Sequence, residues 1–137
     1  MLPAIFRSTT IPALAETAAF AQHRHEVLAG NIANVNTPGY RVRDLNQETF
    51  QQRLGEMMNA RFEPPRPQSP GYVSADPGDP LKQVRETMTN ILYHDDTNID
   101  LEVQVAEISK NQMLHNVALT IMNNQFALLQ TAISERV

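Results

Sequence analysis

The sequence contains no cysteine and no tryptophan, and aromatic residues make up only 6% of its 137 residues. Without cysteine the chain can form neither a disulfide nor a thiolate nucleophile, and zinc sites built from cysteine are excluded. Because aromatic side chains are so scarce, cohesion has to come from Leu, Ile, Val, Met and Ala. That composition suits the packing of helix on helix.

The chain also lacks any run of Lys and Arg, and its net charge is −4. Nucleic acids and anionic membrane surfaces are recognised by basic patches, so both are poor candidate partners. No apolar stretch is long enough to span a bilayer. Residues 1–7 do not show the order of charge and apolar residues that a secretory signal requires, so we expect export, if it occurs, to proceed without a cleaved signal peptide.

Catalytic and ligand-binding motifs are absent too. Nothing in the sequence assembles a nucleophile, a base and oxyanion donors, and no P-loop or dinucleotide fingerprint occurs. His23 and His25 point about 200° apart on a helix and cannot share a metal ion. His94, Asp95 and Asp96 are interpreted as a polar turn before a helix. We therefore expect no enzyme activity, no cofactor, no metal and no small-molecule substrate.

An apolar heptad pattern predicts a first helix over residues 11–36. Thr10 is the expected N-cap, and Pro12 falls in the first turn, where its missing N–H costs little. The seam has alternating spacings of three and four, which is typical of a coiled coil. Its members are Ile11, Leu14, Ala18, Ala21, His25, Leu28, Ile32 and Val35.

The tetrapeptide Thr37-Pro38-Gly39-Tyr40 predicts where this helix ends. Pro38 disfavours the α conformation at the residue before it. Pro38 and Gly39 fit the two central positions of a type II turn, in which glycine accepts a positive φ. We therefore expect the helix to stop near Asn36.

A longer heptad pattern predicts a last helix over residues 99–134, capped by Asn98 or Asp100. A helix of this length is not stable from propensity alone and needs a partner along its seam. We therefore expect an all-α fold in which the two terminal helices pair as an antiparallel coiled coil. The seam residues of this helix are Leu101, Val105, Ile108, Gln112, His115, Leu119, Met122, Phe126, Leu129 and Ile133.

The middle of the chain is expected to be short and partly irregular. A loose apolar face predicts a weaker helix over residues 41–61. Residues 62–80 contain six prolines and two glycines and are interpreted as a linker. Residues 81–94 fit a short helix about as well as a strand. The expected organisation is therefore an N-terminal helix and turn (1–40), a variable middle (41–98) and a C-terminal helix (99–137).

Each terminal helix carries a second apolar line, which we call the second stripe, more than 100° around the helix from its seam. One partner helix cannot cover both lines. The cover could come from the chain's own middle or from neighbouring subunits, and the proline-rich middle, short of apolar residues, favours neighbouring subunits. The second stripe consists of Phe20 and Val27, with Ala13 one heptad earlier, on the first helix, and of Leu114, Val117, Ile121 and Leu128 on the last.

The run Asn31-Ile32-Ala33-Asn34-Val35-Asn36-Thr37-Pro38-Gly39-Tyr40 resembles the N-terminal signature of flagellar rod, hook and hook-associated proteins. Residues 98–102, 106–108, 110–112 and 126–133 are similar to one branch of that group, the FlgB family of the proximal rod. One difference from the family pattern is the stretch before the last helix. The family usually has Asp-Gly-Asn there, whereas residues 94–98 of this chain contain no glycine.

This resemblance implies a mostly helical structural subunit of the flagellar basal-body rod. Such proteins leave the cell through the flagellar type III export apparatus and polymerise in the periplasm. The implied partners are copies of the chain itself, other rod subunits, and the adapter and membrane-ring proteins at the base of the rod. The proximal rod would connect the membrane ring to the distal rod and transmit torque. The alternatives are another short rod subunit or, against the signature, a helical secretion adapter.

Overall fold

The structure is a computed structural model that describes residues 9–62, 81–89, 91–93 and 101–134. Most of the predicted linker and the polar stretch at 94–98 lie outside the described residues. Within those ranges, none of the helices is long and apolar enough to cross a membrane. The elements in chain order are α1 (Ile11–Ala33), β1 (Arg43–Leu45), α2 (Gln47–Phe62), α3 (Lys82–Glu86), β2 (Ile91–Tyr93) and α4 (Leu101–Ser134).

The two terminal helices, α1 and α4, lie antiparallel, which confirms the predicted fold. Gln104 near the start of α4 contacts Asn31 near the end of α1, and Gln125 far along α4 contacts Thr10 at the start of α1. The 34 residues of α4 span roughly 51 Å at the helical rise, whereas α1 has only 23 residues. Consequently α4 extends beyond the start of α1.

The first helix ends at Ala33, three residues earlier than the sequence pattern predicts. The Nδ2 of Asn34 donates to the carbonyl of Gly30 at 2.8 Å and so satisfies one of the last free carbonyls of the helix. Val35, expected on the seam of the helix, lies in the turn that follows. At the other end Thr10 precedes the helix, but its side chain makes no capping hydrogen bond.

The turn after α1 has the geometry that the sequence predicts. The backbone N–H of Tyr40 donates to the carbonyl of Thr37 at 3.2 Å. Gly39 has φ +75°, which confirms the predicted positive φ. The turn reverses the chain, so that β1 runs back beside the end of α1.

A small two-stranded ribbon occupies part of the middle region. β1 pairs antiparallel with β2, and Leu45 lies opposite Ile91. The loose apolar face predicts a helix here from residue 41, but the helix α2 begins only at Gln47. Asn46 explains the boundary, because its Oδ1 accepts from the backbone N–H of Thr49 at 2.9 Å and so caps α2. The ambiguous stretch 81–94 contains both a short helix, α3, and a strand, β2.

The hydrophobic core lies between α1 and the middle region. The rings of Phe20 and Phe50 stack with their centroids 4.0 Å apart and an interplanar angle of 14°. Val27 packs against the same cluster. The prediction that a neighbouring subunit covers these two residues of α1 is therefore wrong, because the chain's own middle covers them. The other buried members of the cluster are Ala13, Leu45, Met57 and Val84.

Replacing Gly39 with alanine should lower the free energy of unfolding by about 1 kcal/mol, because an L side chain is strained at a positive φ. Apart from Gly39 and its two chain neighbours, no heavy atom lies within 4 Å of the added Cβ, so the effect is conformational. The matched control is Gly55→Ala inside α2, where the added Cβ also meets open space. That change should raise the free energy of unfolding by about 0.5–1 kcal/mol. Urea unfolding of both variants measures whether each change lowers or raises the free energy of unfolding. A Gly39→Ala chain as stable as the parent would contradict the strained turn.

Candidate functional site

A buried arginine joins three elements of the fold. The side chain of Arg24 on α1 is only 3% exposed. Its Nε and Nη2 donate to the two carboxylate oxygens of Asp44, beside α1 on β1, at 2.8 and 2.6 Å. Nη2 also donates to Glu107 of α4 at 2.9 Å. The bidentate pair with Asp44 fixes the plane of the guanidinium, so one side chain positions both β1 and α4 against α1. We call these three residues the Arg24 junction.

The charges of the Arg24 junction support one another. Burial by itself would lower the pKa of Arg24, but the hydrogen bonds with Asp44 and Glu107 outweigh it and hold that pKa above its ordinary value. Hydrogen bonds from Lys110 and then from Arg24 hold the pKa of Glu107 below its ordinary value. Arg24 and Glu107 are therefore both charged at neutral pH.

Asn31 forms a second polar tie near the end of α1, where it is fully buried. Its Nδ2 donates to the carbonyl of Arg43 at 2.6 Å and to Oε1 of Gln104 at 3.1 Å. Its Oδ1 accepts from the backbone N–H of Arg43 at 3.0 Å and from the hydroxyl of Tyr40 at 3.2 Å. All four bonds of a buried amide are thus satisfied, and Asn31 connects the turn, β1 and α4.

The remaining residues of the signature build the turn. The backbone N–H of Thr37 donates to the carbonyl of Asn34 at 2.9 Å. Ala33 is the last residue of α1, whereas Asn36 and Pro38 are exposed. The signature therefore ends α1 and reverses the chain. It also supplies Asn31 and Tyr40, whose side chains are hydrogen-bonded to each other across the turn.

The residues of α4 that face α1 form a line along the helix. Half of the residues on this line are not members of the predicted seam. Leu101, Val105 and Phe126, which the heptad pattern places on the seam, are 47%, 49% and 43% exposed and do not lie on the observed line. Leu119 is half-buried at the edge. The residues on the observed line are all buried or half-buried: Gln104, Ile108, Asn111, His115, Ala118, Met122, Gln125 and Leu129.

Polar side chains explain why the face that α4 turns toward α1 is rotated from the predicted seam. Asn111 is 2% exposed, and its Nδ2 donates to the carbonyl of Ala21 at 2.6 Å. Gln104 and Gln125 lie on the same line, and each is bonded to a residue at one end of α1. A search that scores only apolar residues overlooks these positions. A search that also allows Asn and Gln on a seam, where they set register, would have found them.

The expected seam residues of α1 are buried to different extents. Leu28 is 1% exposed, and Leu14 and Ile32 are half-buried. His25 is exposed and lines one groove between α1 and α4 together with His115. Among the described residues, no group of three His, Cys, Asp or Glu side chains could hold a metal ion.

The second stripe of α4 is exposed along its length. The exposed fractions are 36% for Leu114, 46% for Val117, 42% for Ile121 and 71% for Leu128. Val103, which is 51% exposed, extends the same face toward the start of α4. Val103 is not part of the predicted second stripe, although it lies eleven residues before Leu114, only about 20° from it around a helix. A row of apolar side chains on one exposed face is typical of a surface that binds another protein.

Comparison with known proteins connects this arrangement to one family. The family model described as "Flagella basal body rod protein" matches residues 13–41, which include most of α1 and the whole signature. Three curated proteins similar to this chain are each described as "Flagellar basal body rod protein FlgB". The one from Buchnera aphidicola subsp. Baizongia pistaciae is 29% identical, over 76% of this chain and 79% of the relative. Those from Salmonella typhimurium and Aeromonas hydrophila are 26% and 29% identical, over 74% and 80% of this chain and 76% and 81% of the relatives.

Replacing Asp44 with alanine should lower the free energy of unfolding by about 3 kcal/mol, because it leaves the buried guanidinium of Arg24 short of a partner. The matched control is Glu56→Ala on α2. Glu56 pairs with Arg53 at 3.2 Å, but both side chains are largely exposed, so its loss should cost less than about 1 kcal/mol. Urea unfolding measures both variants, and equal effects would show that the Arg24 junction does not stabilise the fold.

The lowered pKa of Glu107 predicts that the free energy of unfolding depends on pH. In the unfolded chain Glu107 should titrate near its ordinary value of 4.5, and in the folded chain below it. Its stabilising contribution is then fully present above 4.5 and is lost as the pH falls through the folded pKa. The difference in unfolding free energy between the parent and Glu107→Gln should therefore be constant from about pH 7 to pH 5 and shrink below about pH 4.5. A difference that stays the same down to acid pH would contradict this assignment.

Proposed function

Because the chain belongs to the FlgB family of flagellar basal-body rod proteins, we propose that this rod subunit polymerises through its terminal helices to form the proximal rod. In this proposal the partners are copies of the chain, other rod subunits, and the adapter and membrane-ring proteins at the base of the rod. The chain reaches the periplasm through the flagellar type III export apparatus. It acts mechanically and has no catalytic role.

The observation that carries the proposal is the exposed second stripe of α4. Leu114, Ile121 and Leu128 repeat every seven residues and lie roughly 100° from the line that faces α1. Full burial of a Leu or Ile side chain contributes about 1.5–3 kcal/mol. A helix from a neighbouring subunit laid along this face would bury several of them at once, and the same contact would repeat around a tube.

The Arg24 junction supports the same function from inside the subunit. A rod that transmits torque needs subunits whose helices do not slide or rotate against each other under load. The directional bonds of Arg24, Asn31 and Asn111 hold α4 in one register and one rotation against α1. The second stripe is therefore presented in a constant direction, which a repeating contact requires.

The variant Ile121→Asp tests this proposal. Ile121 is 42% exposed and lies away from α1, so the isolated chain should keep its helix content and unfold within about 0.5 kcal/mol of the parent. In an assembled rod the same carboxylate would lie unpaired in an apolar contact, which is strongly unfavourable. We expect cells to export the variant but to build no rod and not to swim, as measured by secretion, basal-body yield and motility.

Two controls separate assembly from folding. Asn123→Asp adds the same charge at an exposed position on the other side of α4 and should leave basal bodies intact. Ala118→Asp places the charge at a 3% exposed position against α1 and should unfold the helix pair itself. Normal basal bodies with Ile121→Asp, or unfolding of that chain as with Ala118→Asp, would show that the second stripe does not bind a neighbouring subunit.

A further inference from the structure

A groove between α1 and α4 contains a buried acceptor without a donor. The groove has a volume of about 210 Å³ and is lined by Ala21, Gln22 and His25 of α1 and by Asn111, Gln112 and His115 of α4. Asn111 is 2% exposed and its Nδ2 donates to the carbonyl of Ala21, but its Oδ1 accepts no hydrogen bond from the described residues. Because buried side-chain oxygens are nearly always bonded, this Oδ1 indicates a ligand that binds in the groove.

The two histidines of the groove approach Asn111 from opposite sides. The bond between Asn111 and Ala21 fixes the relative level of the two antiparallel helices. His25 lies one turn after Ala21 on α1. His115 lies one turn after Asn111 on α4, so the Cα atoms of the two histidines lie roughly 6 Å above and below that bond. Helical side chains lean toward the N-terminus of their own helix, which for both histidines is the direction of the bond. The two imidazoles therefore lean toward each other.

This set of groups has the chemistry of a transition-metal site. Neutral imidazole nitrogens are preferred ligands of Zn²⁺, Cu²⁺ and Ni²⁺, and Zn²⁺ also binds oxygen. Two imidazoles and the Oδ1 of Asn111 provide three of the four ligands of a tetrahedral ion, and water can provide the fourth. Only two of these ligands are His, Cys, Asp or Glu side chains, and the third is an amide. His25 is exposed, so an ion can enter from solvent.

We propose that the groove binds one divalent transition-metal ion such as Zn²⁺ through His25 of α1 and His115 of α4, with the Oδ1 of Asn111 as the third ligand. The ion adds a further connection between the two helices beside the Arg24 junction. The expectation of no metal considered His23 and His25, which point apart on one helix, whereas here the partner of His25 comes from α4. All three ligands belong to one chain, so the proposal does not depend on assembly into a rod.

The charges around the groove are compatible with a bound cation. The nearest buried positive charge is the guanidinium of Arg24, the residue before His25. It is already paired with Asp44 and Glu107, at 2.6 and 2.9 Å. The carboxylates therefore compensate the arginine, and the ion does not meet an unpaired positive charge inside the fold.

Replacement of single histidines provides the first test. The chain has four, at positions 23, 25, 94 and 115. Titration of the purified full chain with Zn²⁺, in competition with a chromophoric chelator, measures how many ions bind and how tightly. The parent should bind one ion in this groove, and His25→Ala and His115→Ala should each weaken that binding tenfold or more, because even changes outside the ligand set cost about 10–100-fold.

The matched controls are His23→Ala, which is exposed on the same helix as His25, and His94→Ala, which lies outside the described residues. Both should bind Zn²⁺ within about twofold of the parent. Circular dichroism without metal checks that each variant keeps its helix content, and His25→Ala decides the test by itself because that side chain is exposed. No binding by the parent, equal affinity in all variants, or a loss confined to His94→Ala would overturn the proposal.

Urea unfolding tests whether the ion joins the two helices. At a hundredfold excess of Zn²⁺ over its dissociation constant, the ratio of folded to unfolded chain should rise about a hundredfold for the parent and for His23→Ala. A chelator should reverse the rise. His25→Ala and His115→Ala should show less than a tenth of this effect. A full effect that survives His25→Ala would show that the ion binds α4 alone and would contradict a site shared by both helices.

Discussion

Arg24 carries its charge inside the fold, and removing that charge from water would oppose folding if no carboxylates reached it. Asp44 approaches from β1 and Glu107 from α4, so the charge is compensated only when three elements are in place together. This requirement couples the middle region to the helix pair. Asn31, two turns farther along α1, repeats the coupling with neutral groups, since it binds the backbone of Arg43 and the side chain of Gln104 at once.

The same polar contacts decide which face of α4 remains outside. Apolar attraction is roughly proportional to buried area and has no direction, so several rotations of an apolar helix are similar in energy. A buried N–H donor is different, because leaving it without a partner costs about 1–3 kcal/mol. The Nδ2 of Asn111 reaches the carbonyl of Ala21 in only one rotation of α4. That rotation turns Leu114 and Ile121 away from α1 and leaves them exposed.

The two halves of the second stripe have different roles in the structure. On α1 the chain itself fills the space, because Phe50 of α2 stacks on Phe20. On α4 the described middle region provides no such cover. A short chain can therefore complete one hydrophobic core and still leave an apolar face exposed.

The sequence by itself determined the features that depend on neighbouring residues along the chain. The antiparallel pairing followed from two heptad patterns and the length of α4, and the positive φ of Gly39 followed from Pro-Gly in a four-residue turn. The short helix and strand in residues 81–94 were both compatible with the sequence, but their order was not determined. The strand β1 was missed, since three residues give too short a pattern to separate a strand from the start of a helix.

Only the tertiary structure decided the rotation of α4 and the cover of Phe20. The bonds that set the rotation join residues 73 and 90 positions apart, Asn31 with Gln104 and Ala21 with Asn111, and no local pattern records such a pairing. The cover of Phe20 depends on where α2 is placed after the turn and β1. Both outcomes follow from directional contacts between distant segments, whereas heptad spacing reports only that an apolar face exists and not which partner covers it.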